Sequence, residues 1–177
     1  MLGWGQRARK DSAAPSHALY ERIVGQARQA EFYARYGVPD TPLGRFEMIA
    51  LHAFLVMRRL KRCGRDGAET AQALFDLMFA DVDRNLREMG VGDLGVGRRV
   101  KALAKGFYGC VQAYEAALDG GGESLDAALA RNLYAGAPPD ADLLASVADY
   151  VRREDAALGR TNAEGLLAGR VQFGAPP

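Results

Sequence analysis

From Pro42 to Leu60 the chain reads PLGRFEMIALHAFLVMRRL, and its density of apolar residues restricts the possible folds. Leu43, Phe46, Ile49, Ala50, Ala53, Phe54, Met57 and Leu60 recur at helical spacing, and Met48, Leu51, Leu55 and Val56 lie outside that stripe. A helix apolar nearly all round is either the centre of a bundle or keeps a second face for a partner. Thr41 ahead of Pro42 suits an N-cap followed by the first helical position. The apolar run from Ile49 to Met57 is nine residues broken by His52, far short of the roughly 20 that cross a bilayer. Any membrane association is therefore expected to be peripheral.

A second helix and an elbow follow in LFDLMFADVDRNLREMGVGDLGVGRRVK, Leu74 to Lys101, the stretch around which the rest of the chain is expected to be organised. Leu74, Phe75, Met78, Val82 and Met89 keep the helical period, and Gly90 stands where a C-terminus favours positive φ. Gly90, Gly92 and Gly95 spell GxGxxG. That pattern binds a dinucleotide after a strand and before a helix. A helix precedes it here, so a C-cap and turn is the better reading. Asp93 is a candidate cap for the next helix. Arg98, Arg99 and Lys101 then crowd that helix's first turns, where cations oppose its dipole. Either Asp76, Asp81, Asp83 or Glu88 pairs with them internally, or they face an anionic partner.

The remaining segments are helical as well. Residues 1–15 read as a disordered tail containing Trp4. Ser16 is a candidate cap for a helix reaching about Tyr36, with Phe32, Tyr33 and Tyr36 packed near its end. Asp66 and Glu69 fit a capping box for the central helix. Val96 to about Asp119 carries Val100, Leu103, Phe107, Tyr108, Val111 and Tyr114 inward; Gly106 and Gly109 in it suggest close approach of a neighbouring helix. Gly120 to Gly122 form a link. Ser124 opens a short helix, Asp140 another, and Thr161 with Glu164 a last turn. Residues 170–177 are expected to fray. Period-two alternation bounded by hairpin turns is missing, so the expected architecture is all-α, an irregular or orthogonal bundle of about six or seven helices. Residues 16–169 make one domain, with a possible C-terminal subdomain over 123–169.

Charge and ligand chemistry narrow the function. Residues 1–65 hold 12 Lys and Arg against 5 Asp and Glu, and residues 66–177 hold 11 against 17. A basic N-terminal half suits a polyanion, or simply the acidic half of the same fold. Arg58, Arg59, Lys61, Arg62 and Arg65 end the Pro42–Leu60 helix; they match its dipole and outnumber what capping uses, so they are candidates for a contact patch. His52 and His17 have no companions at ligand spacing, and neither a metal site nor a cofactor site is expected. Cys63 and Cys110 suit ordinary packing in a reducing compartment. The first residues lack the apolar stretch of a secretory signal.

YGVPDTPLGRFEMIALHAFLVMRRL (Tyr36–Leu60), the Leu74–Lys101 stretch and FYGCVQAYEAAL (Phe107–Leu118) together resemble the core of the ubiquinol–cytochrome c chaperone family, in its bacterial branch. The likeness covers roughly residues 20–160. It implies a non-catalytic assembly factor, cytoplasmic and peripheral at the inner membrane. It implies as partners newly made cytochrome b, a ribosome near its exit tunnel, a small partner protein and an anionic membrane, but no DNA. It also implies that Arg58, Arg59, Lys61 and Arg62, and the stretch around Asp93, Arg98, Arg99 and Lys101, contribute to contacts. Other classes compatible with the residues are a helical protein binding haem or a lipophilic small molecule, and a ribosome- or nucleic-acid-binding module.

Overall fold

The computed structural model describes residues 13–177, and Trp4 and most of the expected tail lie outside them. The helices are α1 (Ala13–Ala27), α2 (Ala30–Ala34), α3 (Pro42–Leu60), α4 (Gly64–Glu88), α5 (Asp93–Leu118), α6 (Leu125–Asn132), α7 (Ala141–Arg160) and α8 (Ala163–Leu167). The described residues contain no strand, so the expected all-α bundle is what forms. The first helix starts earlier than expected, because Pro15 is tolerated in a first helical turn. Ser16 is accordingly a buried residue inside α1 rather than its cap. The chain breaks at Gln29 and restarts as α2.

α3 is the axis of the bundle. It packs against α1, α4, α5, α7 and α8. Met48, Leu51, Leu55 and Val56, outside the main stripe, are as buried as the residues on it. No second apolar face is left over, so the helix that is apolar all round is core. Thr41 Oγ1 accepts the Gly44 N–H at 3.1 Å, as its sequence position suggests. Gly44 is required there, since a Cβ would sit 2.0 Å from the Pro39 carbonyl oxygen.

Two expected capping boxes are absent. α4 begins at Gly64, which moves Asp66 into the first turn, and Glu69 instead pairs with Arg65 at 2.9 Å. At α8 the cap is Asn162, whose Oδ1 accepts from Glu164 N at 3.0 Å, while Thr161 closes α7. Ser124 does cap α6, accepting from Ala127 N at 3.2 Å. Leu125 and Leu129 of α6 and Val147 and Val151 of α7 join the same core as α3.

Residues 170–177, expected to fray, lie against the bundle. Val171 is buried, and Phe173 meets the His52 ring edge-on at 5.2 Å. Glu154, only 1% exposed, accepts the Gly174 N–H at 3.0 Å, and Gln26 donates to the Gly174 carbonyl at 2.8 Å. A buried carboxylate needs donors, and this segment's backbone supplies one. His52 is a core histidine. Nδ1 sits 2.8 Å from the Met48 carbonyl, so it carries the proton, and Nε2 accepts from Tyr150 Oη at 2.8 Å. Burial pulls its pKa down to about 4, which keeps the ring neutral.

Candidate partner-binding face

The two basic clusters meet different fates. Arg58 is 6% exposed and points into the bundle. Its guanidinium grips Asp119 with both Nη atoms, at 2.5 and 3.1 Å, and reaches Asp155 through Nε at 3.1 Å. Arg59 donates to the Leu158 carbonyl at 3.1 Å and the Thr161 carbonyl at 2.9 Å, satisfying the exposed end of α7. Lys61 lies 3.8 Å from Glu115. Arg62 is exposed, without an ion pair among the described residues. The run of basic residues at the end of α3 is thus divided between the fold and the surface.

The elbow is a helix terminus, as its sequence context suggests. Gly90, at φ +80°, donates to Arg87 O at 2.9 Å, and Val91 donates to Leu86 O at 3.1 Å, the paired bonds of a Schellman motif. Gly92, not Asp93, occupies the N-cap of α5. The Asp93 carboxylate instead meets Arg87, which also holds Asp83 at 2.6 Å.

Arg98, Arg99, Lys101 and Lys105 are exposed, and among the described residues none of them has an ion-pair or hydrogen-bond partner. Three of the α4 acids are engaged elsewhere: Asp76 by Gln72, Asp81 by Tyr20, Arg84 and Asn85, and Asp83 by Arg87; Glu88 is exposed and makes no ion pair among the described residues. Of the two readings open in the sequence, internal pairing does not occur. Leu94, Arg98, Lys101, Lys105 and Tyr108 follow one another at alternating steps of four and three residues, so they share one face of α5. Leu94 is 95% exposed, Tyr108 55%, and Met89 at the elbow 62%. A shallow depression lined by Arg98, Lys101, Ala102, Ala104, Lys105 and Tyr108 runs along the stripe. Met89 and Tyr108 keep the core period in the sequence but are largely exposed, because no helix among the described residues covers this side of α4 and α5. Lys105 and Leu94 were legible only through the 21 residues from Leu94 to Tyr114, which hold four cations and no acid.

Gly106 and Gly109 were expected to admit a neighbouring helix. A Cβ at either would meet nothing within 4 Å. Each therefore costs helix propensity without a packing return among the described residues. Gly106→Ala and Gly109→Ala are each expected to raise stability by about 1 kcal/mol in urea unfolding. An unchanged or lowered midpoint would mean that this side of α5 is covered.

Three perturbed groups lie inside the bundle rather than on this face. Glu47 is pushed up to about 7 by burial, with the Cys110 thiol 3.9 Å away; Cys110 is itself raised to about 11, again by burial. His52 is the third. No cluster of three metal-ligating side chains occurs among the described residues. Among the same residues, no helix is long and apolar enough to cross a membrane.

Residues 34–173 match the family model described as ubiquinol-cytochrome C chaperone. Ubiquinol-cytochrome c reductase complex assembly factor 1 from Mus musculus is 28% identical over 156 residues, covering 88% of this chain and 53% of its own length. The Homo sapiens protein of the same name is 28% identical over 149 residues, covering 84% of this chain and 50% of its own length. The chain thus spans about half the length of these relatives. The crystal structure of the Cbp3 homolog from Brucella abortus superposes with a TM-score of 0.83 at 41% identity, over 98% of this chain and 96% of that one.

Proposed function

We propose, because this chain belongs to the ubiquinol-cytochrome C chaperone family, that it binds newly made cytochrome b and holds it for assembly into the ubiquinol–cytochrome c reductase complex. The observation that carries a binding role is the α5 face. Arg98, Arg99, Lys101 and Lys105 stay unpaired beside three exposed large apolar side chains, an arrangement that costs the isolated chain and suits a partner. Lys61, 3.8 Å from Glu115 towards the other end of α5, and the exposed Arg62 beside it in the chain are a secondary contact in this reading. The role is one of binding without catalysis. Glu47, His52 and Cys110, the groups with catalytic potential, are held in core packing.

The test is deletion of the gene in its host, followed by complementation. We expect the reduced-haem spectrum of cytochrome b and the assembled complex to fall on deletion and to return with the parent sequence. The triple variant R98E/R99E/K101E, on exposed positions, is expected to fold normally and to restore little. Crosslinked pull-down should enrich cytochrome b; ribosomal proteins beside it would place the encounter at the exit tunnel. A deletion strain with normal cytochrome b and a normal complex would overturn the proposal.

A further inference from the structure

We infer that the elbow and the first half of α5 dock on an anionic phospholipid surface, with Leu94 and Met89 entering the acyl boundary and Arg98, Lys101 and Lys105 meeting the headgroups. The inference rests on the reading of α5 as the contact face, but not on the identity of the client.

Two independent features select lipid. The first is charge. From Leu94 to Tyr114 the chain holds four cations and no acid, and Asp93 just ahead of this run pairs with Arg87, which it shares with Asp83. Three of those cations share one face of a single helix and so can meet one flat surface together. The second is the apolar tip. Leu94 is almost wholly bare, and Met89 stands exposed just across the elbow. RNA would reward a cationic face, but it binds through stacking on aromatic or guanidinium planes and gives nothing to an exposed leucine and methionine. A lipid interface rewards both at once, since insertion of aliphatic side chains and attraction to anionic headgroups act on adjacent residues. α5 carries too many charges to cross a bilayer, so it lies on the surface.

The experiment uses the full chain and co-sedimentation with phosphatidylcholine vesicles, with and without phosphatidylglycerol. Binding is expected only with phosphatidylglycerol and should weaken as salt rises. The variant R98A/K101A/K105A should bind about a hundredfold more weakly, at about fivefold per cation. Leu94→Asp should lose at least about tenfold while leaving every cation in place. Both change exposed side chains, and circular dichroism will show an intact fold. In a Trp4→Phe background, Leu94→Trp should shift its emission to the blue on phosphatidylglycerol vesicles. The inference is overturned if Leu94→Asp binds as the parent does, if the Leu94→Trp emission does not move, or if the protein ignores these vesicles while binding single-stranded RNA. Vesicle binding is measured without any client, so its failure is distinguishable from failure of the cytochrome b reading, which is scored by complementation.

Discussion

Replacing Arg58 with alanine is expected to cost the fold about 3 kcal/mol, and replacing it with glutamate to leave no folded protein. The guanidinium is buried where the end of α3 meets the end of α5 and the C-terminal half of α7. Its five donors allow the two-pronged grip on Asp119 and the separate bond to Asp155, with Glu115 3.7 Å away. Breaking a buried ion pair costs most when the remaining charge is trapped, but here Asp119 and Glu115 are partly exposed and regain water. That relief puts the alanine variant at the lower end of the usual range of about 3–5 kcal/mol. Glutamate has no such relief, since it adds a fourth carboxylate to three. Arg58→Lys is expected to fall between parent and alanine, because an ammonium cannot hold both aspartates in that geometry. Urea unfolding followed by circular dichroism measures all three. An alanine variant within about 1 kcal/mol of the parent would show the cluster behaving as a surface ion pair. The exposed variant R98E/R99E/K101E is the control, expected within about 0.5 kcal/mol of parent stability for each site.

Arg58 also shows where the sequence stops being legible. Five cations in the eight residues from Arg58 to Arg65 are visible in the sequence, but the acids that meet one of them are 61 and 97 residues away. No local pattern reveals such partners. By contrast, the apolar residues on every side of α3 left two readings in the sequence, the centre of a bundle or a second face for a partner, and their burial decides for the first. The Thr41 and Ser124 caps were readable because an N-cap is a contact across three residues. The box at Asp66 and Glu69 fits the letters equally well, yet α4 begins two residues earlier and leaves both in its first turns. Met89 and Tyr108 fail for another reason. Their period is that of a buried face, but no described element covers that side of α4 and α5. The same open side leaves Arg98, Arg99 and Lys101 unpaired, so the open part of the site was readable as chemistry and unreadable as geometry.

Glu47→Gln is expected to stabilise the protein by up to about 3 kcal/mol above pH 7 and to give it a stability that rises with pH in weak acid, where the parent is nearly flat. The reason is a pair of buried groups that work in opposition. His52 is held at about 4 in the fold against 6.5 outside it, so its contribution is full above 6.5 and is lost as pH falls towards 4, where the unfolded chain takes the proton first. Glu47 is held at about 7 against 4.5 by burial, so its contribution is full below 4.5 and is lost as pH rises towards 7, where the unfolded chain ionises first. The two shifts are of similar size, and between about pH 4.5 and 6.5 the slopes largely cancel. Glutamine keeps the shape of Glu47 and removes its charge, leaving His52 unopposed: stability should then climb with pH across that window. Other carboxylates, such as Asp40 and Asp119 with their arginine partners, titrate alike in parent and variant and drop out of the difference. The difference between the two curves from urea unfolding is therefore the readout, and it should grow from near zero at acid pH to its full value above pH 7. A flat difference would mean that Glu47 ionises as an ordinary hydrated carboxylate, with water reaching the seam between α3 and α5.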